Sequence, residues 1–246
     1  MTCGLGGGTG TGSAPVIAHQ AKEAGALTIG VVTLPFSSEG KIRMRNALEG
    51  LSKLKRSTDT TIIIPNDKLL AVAPDLPLNM AFKISDEILA NATKGIIEMV
   101  TKPGMVNLDF ADLRSVLKDS GYAVIGMGEA NSAQSSDRAN VAIENTLRSP
   151  LLDVDISTAK KALVNIVGGD DLTLREAESI FQNVSSRISP DALLKWGARI
   201  EPKMQKSSLK VMVVLSGVEF PDYADDGIKR KLTDKEDIDL DKIFEE

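Results

Sequence analysis

The sequence predicts an α/β protein in which a parallel sheet is followed by a long helix and then by a second α/β unit with a mixed sheet. Two observations carry this prediction. Short β-branched and apolar runs alternate with longer stretches of helical periodicity, the order that produces βαβ units. A helical pattern over 78–101, bounded by prolines on both sides, then divides the chain in two.

The first half of the chain predicts alternating helices and strands. They are expected at 14–24, 27–33, 41–54 and 61–64, in the order helix, strand, helix, strand. The run LTIGVVT is mostly β-branched and apolar, which is typical of a buried strand. Pro65 ends the short strand, and Pro74 and Pro77 precede the long helix that Pro103 and Gly104 end. Three residues before Gly4 are too few for a strand of normal length.

The second half repeats the alternation without repeating the sequence. Helices are expected at 110–120, 137–147 and 173–184, and strands at 122–128, 162–167 and 209–215. A weaker strand is expected at 198–201. Thr173 and Glu176 have the spacing of a capping box, so they favour a helix start at this point.

Composition excludes several classes of function. The net charge is −5, and residues 222–246 hold ten acidic and five basic side chains, which leaves the body neutral with 24 of each. A neutral body with an acidic tail is not expected to bind nucleic acid, which needs a basic patch. One cysteine fits a reducing compartment, and no apolar run approaches the ~20 residues that span a bilayer. We therefore expect a cytoplasmic protein without direct membrane insertion.

The glycine loop, residues 4–12, is the most unusual stretch, with six glycines and two threonines in nine residues. Glycine lets backbone N–H groups approach a ligand, and inward-turned N–H groups form an anion-binding nest. Such a loop leading into a helix is a ready phosphate site. It is not the common phosphate loop, because Ser13 occupies the position of the required lysine. The alternative is a flexible glycine-rich linker.

Three further groups of residues are candidates for chemistry. Phe82 and Asp86 share one helix face. The Asp86 carboxylate could accept from the N1–H and N2 amino groups of guanine, whereas adenine presents an acceptor at N1, so the pair could select guanine. The alternative is that Phe82 belongs to the core, as a Phe on a helix more often does. Glu39 and Arg43 are four residues apart, which also fits an ordinary surface ion pair. Asp109 and Asp112 lie at a helix start, where they would also serve as caps. No cluster has zinc-ligand spacing, and no metal site is predicted.

The run GGGTGTG at residues 6–12 resembles the signature of the tubulin/FtsZ family of GTPases. Further segments match the family pattern, and their order resembles its prokaryotic cell-division branch. They are EGKIR at 39–43, IPND at 64–67, Phe82 with Asp86, NLDFAD at 107–112, and SPLL at 149–152. The resemblance covers roughly residues 1–218. It implies a tubulin/FtsZ-like fold in which the first domain is only part of a Rossmann-like GTPase domain.

The resemblance also implies roles for individual residues. It assigns contacts with GTP or GDP to Gly6, Gly7, Gly8, Thr9, Gly10, Thr11, Gly12, Glu39, Arg43, Asn66, Phe82 and Asp86. Asn66 is the least specific of these, because an Asn after a proline also forms turns. The resemblance assigns catalysis to Asn107, Asp109 and Asp112 in the synergy loop, defined here as residues 102–112, which reaches the nucleotide of the next subunit with Mg²⁺ present.

Domain limits and partners follow from the same resemblance. The expected parts are 1–77, the end of the GTP-binding domain; 78–101, the connecting helix; 102–218, the GTPase-activating domain; and 219–246, an acidic disordered tail. Family members carry a further segment with an earlier glycine-rich loop before this one. We expect head-to-tail self-assembly at the division site and, through the tail, a membrane adaptor of the division ring. The alternatives are a solvated tail without a partner and a non-hydrolysing module that caps filaments of intact subunits.

Overall fold

A computed structural model describes residues 1–70, 77–131, 137–152 and 154–218 of the chain. The acidic tail that the sequence predicts to be disordered lies outside the described residues, and that prediction stays untested. In the described part, no helix combines the length and the apolar character that crossing a membrane requires.

The described strands form one seven-stranded mixed sheet in the order β1-β2-β3-β4-β7-β5-β6. Strands β1 to β4 are parallel, β7 is antiparallel to both its neighbours, and β5 and β6 are parallel. The strands are β1 Thr2–Gly4, β2 Ile29–Leu34, β3 Thr60–Pro65, β4 Gly121–Asn131, β5 Lys161–Gly168, β6 Leu193–Ile200 and β7 Ser208–Ser216. The predicted α/β class with a mixed sheet is therefore confirmed.

Seven α-helices are described, and most lie where helical periodicity predicts them. They are α1 Thr9–Glu23, α2 Lys41–Ser57, α3 Asn66–Leu70, α4 Leu78–Thr101, α5 Phe110–Leu117, α6 Arg138–Leu147 and α7 Leu174–Ser185. The long helix α4 is confirmed, with Pro77 as its N-cap residue. The predicted capping box is confirmed at α7, where Thr173 Oγ1 accepts from the Glu176 N–H and the Glu176 carboxylate accepts from the Thr173 N–H.

The largest differences from the sequence predictions concern β1, α1 and β6. β1 forms despite its three residues, because each pairs with β2. Helix α1 begins at Thr9, inside the predicted loop, and not at residue 14. Strand β6 begins at Leu193 and not at residue 198, because pairing with β5 extends over its whole length. The short helix α3 was not predicted.

Strand β4 joins the two predicted units into one sheet. Its first residues, from Gly121 to Ala123, pair with β3, and the residues from Ala123 to Asn131 pair with β7. The two units thus share a sheet, and their domain limits remain a prediction.

Helices cover both faces of this sheet, as the period of two along its strands requires. Ile62 packs in a cluster with residues of α4 and α5, whereas its neighbour Ile63 packs with residues of α1 and α2. In the second half, Ile166 packs in a cluster with residues of α6 and α7. The loops that follow β1, β2 and β3 consequently meet at one edge of the sheet, where parallel strands end.

Candidate functional site

The glycine loop lies directly after β1 and becomes the first turn of α1. Gly8 is the N-cap residue of α1 and makes no side-chain cap hydrogen bond, so the helix begins without a side-chain acceptor. A Cβ added to Gly7 or Gly8 would meet no heavy atom within 4 Å, which leaves this backbone open to a ligand. An uncapped N-terminus of a 15-residue helix beside open glycines has the charge and shape that a phosphate needs.

Other residues of the glycine loop hold its conformation. Gly6 has a φ of 102°, and a Cβ there would lie 2.8 Å from the carbonyl oxygen of Arg43. A Cβ on Gly10 would lie 2.4 Å from the carbonyl oxygen of Gly4, so the helix packs too close to β1 for a side chain. The Thr11 hydroxyl accepts from the Gly6 N–H at 2.9 Å and thereby closes the loop. These contacts exclude a flexible linker and leave Thr9 and Gly12 exposed.

Glu39 and Arg43 form an ion pair beside the glycine loop, with 3.1 Å between Arg43 Nε and Glu39 Oε2. The other carboxylate oxygen of Glu39 accepts from the Phe36 N–H at 2.8 Å. Glu39 and Arg43 thus form the ion pair that their spacing predicts, and this pairing does not exclude contact with a ligand. A carboxylate has about four lone-pair sites, so Glu39 retains capacity for a ligand hydroxyl. The packing of Gly6 against Arg43 brings this pair to the phosphate-binding end of the sheet.

Phe82 and Asn66 meet the same edge of the sheet from α4 and from the end of β3. Phe82 is 38% exposed, and its ring makes an edge contact with buried Phe36 at 5.3 Å between centroids and 83° between planes. Asn66 is buried and accepts from the Ser85 hydroxyl at 2.8 Å. Phe82 is therefore partly exposed at this edge of the sheet, contrary to a purely core role, and it also contacts the buried Phe36.

Asp86 is exposed one turn further along α4, with its side chain facing an apolar groove. The groove is lined by Leu89, Ala90, Thr93 and the β1 residue Thr2, among others. Its position on the same side as Phe82 follows from their spacing of four residues. The aromatic ring and the carboxylate thus stand in the order that a stacked base and its hydrogen-bonding edge would need.

The synergy loop lies at the other end of α4 and is attached to β6. The Val106 N–H and C=O both pair with Ala198 at 3.1 Å. The Asn107 side chain accepts from the Gly104 N–H at 2.7 Å, and a Cβ on Gly104 would lie 2.7 Å from the Ala198 carbonyl oxygen. Asn107 thus shapes the loop, a structural role that the sequence analysis did not assign to it.

Ion pairs fix the start of the synergy loop. Glu98 near the end of α4 pairs with Lys102 at 2.7 Å and also with Arg199 of β6. Burial opposes ionisation of Glu98, but the hydrogen bond from Lys102 and the charge of Arg199 outweigh it and lower the pKa of Glu98. The helix end, the loop and β6 are therefore held as one unit.

Asp109 and Asp112 form a reciprocal capping box at the start of α5. Asp109 Oδ1 accepts from the Asp112 N–H at 2.7 Å, and Asp112 Oδ2 accepts from the Asp109 N–H at 3.3 Å. Lys195 of β6 contacts the remaining oxygen of Asp112, with 2.8 Å between Nζ and Oδ1. The capping interpretation is confirmed, and it leaves both carboxylates at the surface of the protein.

Comparison with known proteins agrees with this arrangement. Residues 1–74 match the model of the Tubulin/FtsZ family GTPase domain, and residues 121–219 match that of the FtsZ family C-terminal domain. The chain is 51% identical over 232 residues to Methanocaldococcus jannaschii cell division protein FtsZ 1, covering 94% of this chain and 63% of the relative. It is 58% identical over 221 residues to FtsZ of Methanothermobacter thermautotrophicus, covering 90% of this chain and 57% of the relative.

The chain belongs to the tubulin/FtsZ family. A solved FtsZ dimer from M. jannaschii superposes with a TM-score of 0.83 at 52% identity, covering 87% of this chain and 62% of that one. CetZ1 from Haloferax volcanii superposes with a TM-score of 0.77 at 22% identity, which shows the shared fold alone. The chain spans about three fifths of the length of the curated relatives it matches.

The structure places the candidate residues in two separate groups. The structure brings together the glycine loop, Glu39, Arg43, Asn66 and Phe82 at one edge of the sheet, with Asp86 beside them. It places Asn107, Asp109 and Asp112 together at the far end of α4. Sequence reasoning missed Phe36 and Lys195, since their partners lie 46 and 83 residues away in the chain.

Magnesium was predicted to accompany the nucleotide, with no metal site in the protein. Among the described residues, no three His, Cys, Asp or Glu side chains are grouped to hold a metal ion. Mg²⁺ that is bound with a nucleotide takes most of its ligands from phosphates and water, so it does not need such a group of protein side chains.

Proposed function

We propose that this chain acts as a GTP-hydrolysing, filament-forming cell-division protein that works in the cytoplasm at the division site. The edge of the sheet that carries the glycine loop binds the nucleotide. The opposite end carries the synergy loop and completes the nucleotide site of the next subunit. Copies therefore assemble head to tail, which gives an open filament.

The observation that carries this proposal is the separation of the two groups of residues by α4. Phe82 lies near the start of this 24-residue helix, and Asp109 lies beyond its end. At 1.5 Å per residue, the helix keeps the two groups roughly 30 Å apart. One subunit cannot bring both to one γ-phosphate, whereas a neighbour in a head-to-tail pair can.

The reaction needs only positioning and charge from these residues. A water oxygen bonds to the γ-phosphorus, the bond from that phosphorus to the bridging oxygen breaks, and GDP and phosphate leave. The carboxylates of Asp109 and Asp112 orient the water and accept its hydrogen bonds, and the water proton passes through them to solvent. Mg²⁺, when bound with the nucleotide, supplies charge neutralisation on the phosphates.

A trans-complementation assay tests the proposal with the chain of residues 1–246. The acceptor is M. thermautotrophicus FtsZ whose own synergy-loop aspartates are replaced by asparagine, loaded with GTP and held below its assembly concentration. Because this chain brings an intact synergy loop, we expect the mixture to release phosphate faster than the two proteins do separately. Phosphate release and co-sedimentation are measured in parallel.

The same assay distinguishes the capping alternative. A mixture that co-sediments, releases no phosphate and shortens filaments of intact FtsZ would support a non-hydrolysing cap and contradict the proposal. The intact carboxylates of Asp109 and Asp112 do not favour that outcome. An adaptor contact through residues 219–246 is part of the proposal, and deletion of these residues should leave phosphate release in the mixture unchanged.

Guanine selectivity is proposed to depend on Asp86. In a chimera that joins the upstream segment of M. thermautotrophicus FtsZ to this chain, Asp86→Ala should weaken GTP binding by about 1–3 kcal/mol, the cost of leaving guanine donors unpaired. Asp86→Asn should instead improve binding of xanthosine triphosphate, whose O2 carbonyl accepts from an amide. Calorimetric titration with GTP, ATP and xanthosine triphosphate measures both effects.

The matched control for this prediction is Glu87→Ala, which removes the neighbouring exposed carboxylate. It should leave all three affinities unchanged. Equal competition by ATP before and after the Asp86 substitutions would remove Asp86 from the base-binding site.

A further inference from the structure

The synergy loop carries two carboxylates toward a place where, in the proposed function, a polyanionic triphosphate must also lie. Like charges at close range repel one another, so such a site needs a compensating positive group. Of the described side chains, Lys195 is the cation in direct contact with this carboxylate pair.

Lys195 lies in a paired strand of the sheet, and its backbone position fixes the direction from which its side chain approaches Asp112. It lies on β6, where it is the register partner of Leu163 in β5, three residues before Ala198, which pairs with Val106 of the synergy loop. The same strand thus anchors the loop backbone and supplies the cation. The Lys195 side chain is 37% exposed, so its ammonium group can face a neighbouring subunit while it contacts Asp112.

The contact with Lys195 restrains Asp112 and not Asp109. Asp112 is held at both oxygens, by Lys195 Nζ at 2.8 Å and by the Asp109 N–H at 3.3 Å. The hydrogen bond from Lys195 holds the pKa of Asp112 below its ordinary value, and the same bond raises the pKa of Lys195. Both groups are therefore charged at neutral pH, and the Asp112 carboxylate has one preferred orientation.

We propose that Lys195 is a positioning residue for hydrolysis across the subunit junction. It fixes the carboxylate of Asp112 and offsets the negative charge of the Asp109–Asp112 pair as a neighbour's triphosphate approaches. This inference rests on the proposed function, and it adds to the reaction a residue that touches neither the water nor the phosphates. An arginine in its place keeps the charge and the contact, whereas methionine keeps only the length of the side chain.

The trans-complementation mixture described above tests this role with Lys195→Met, Lys195→Gln and Lys195→Arg in the chain of residues 1–246. Two quantities are read from titration of the chain into the acceptor: the phosphate release rate at saturation and the concentration at half-saturation. We expect Lys195→Met and Lys195→Gln to lower the saturating rate about tenfold or more without moving the half-saturation point. This is less than the ~100-fold lower range for an acid–base group itself, because Lys195 acts through Asp112. Lys195→Arg should retain most of the rate.

The matched control is Lys210→Met. Lys210 forms an ion pair of the same length with Glu129, 2.8 Å between Nζ and Oε2, on exposed positions of β7 and β4. Its removal should change neither quantity. Circular dichroism melting of every variant shows whether the fold persists.

Three outcomes would contradict the role of Lys195 or the proposed function. An unchanged saturating rate in Lys195→Met overturns the inference and leaves the proposed function standing. A rate loss matched by a loss of association or of melting temperature also overturns it, since Lys195 would then be only a structural contact. No phosphate release with the wild-type chain overturns the proposed function, and the inference falls with it.

Discussion

Asp109→Asn is expected to lower phosphate release at the subunit junction by about 100-fold or more, the lower range of what a positioned acid–base group contributes. Asparagine is as good an N-cap residue as aspartate, so it still accepts from the Asp112 N–H and keeps α5 in place. The substitution removes the charge and the proton-accepting capacity alone. The trans-complementation mixture measures the rate, and co-sedimentation measures whether the junction still forms.

Asp109→Ala provides the comparison that separates catalysis from capping. It removes the cap as well as the charge, and it should lower the free energy of unfolding by about 1 kcal/mol. If capping were the only role of Asp109, Asp109→Asn would behave as wild type and Asp109→Ala would lose stability alone. Full activity of Asp109→Asn would therefore contradict the proposed catalytic role. Asp112→Asn should lower the rate at least as much as Asp109→Asn does, because its single amide oxygen can accept either from the Asp109 N–H or from Lys195 but not from both.

The parts of the fold that local signals determine were predicted from the sequence. Helix α4 has its predicted bounds because Pro77 begins it, and Pro103 with Gly104 lies just beyond its end. Helix α7 was found through its capping box, whose two partners are three residues apart and need no tertiary information. In both cases the deciding interactions lie within a few residues of sequence.

Tertiary contacts decide the parts that were mispredicted. Residues 9–12 are poor helix formers, but close packing of Gly10 against Gly4 makes their small size an advantage, so α1 begins there. The first half of β6 has no alternating pattern and becomes a strand through its partner β5. Partners this distant in sequence leave no periodic signal.

The candidate site divides in the same way. The glycine loop and the Asp109–Asp112 pair are local patterns, and the sequence places them. Phe36 is identified only by its contact with Phe82 in the fold, and Lys195 only by its contact with Asp112 of the synergy loop. Supporting residues of this kind carry no motif of their own, because their role comes from the contact.

The ion cluster around Arg138 gives the second large expected effect, this time on stability. The Arg138 side chain is 5% exposed, and its guanidinium group donates to Glu176 at 2.6 Å and to Asp171 at 2.8 Å. Asp171 also accepts from the Ser207 N–H at 3.0 Å, so the cluster ties α6 to the start of α7 and to the turn before β7. Burial of Glu176 opposes its ionisation, but the hydrogen bonds from Arg138 and Thr173 outweigh it and lower the pKa of Glu176.

Glu176→Leu is expected to lower the free energy of unfolding by about 3–5 kcal/mol, because it leaves a buried guanidinium group without its closest partner. Adding Arg138→Met to this variant should restore part of the loss, since a fully apolar replacement of a buried pair is often tolerated. The lowered pKa makes the Glu176 contribution complete above its ordinary pKa and lost as pH falls through the folded-state value. Urea unfolding at neutral and at acid pH should therefore show a smaller difference between wild type and Glu176→Leu in acid.

Glu178→Leu, on the exposed face of the same helix, is the matched control and should lower the free energy of unfolding little at either pH. A Glu176→Leu chain as stable as the Glu178→Leu chain, or a double variant less stable than Glu176→Leu alone, would contradict a buried ion cluster as the element that holds α6 and α7 together.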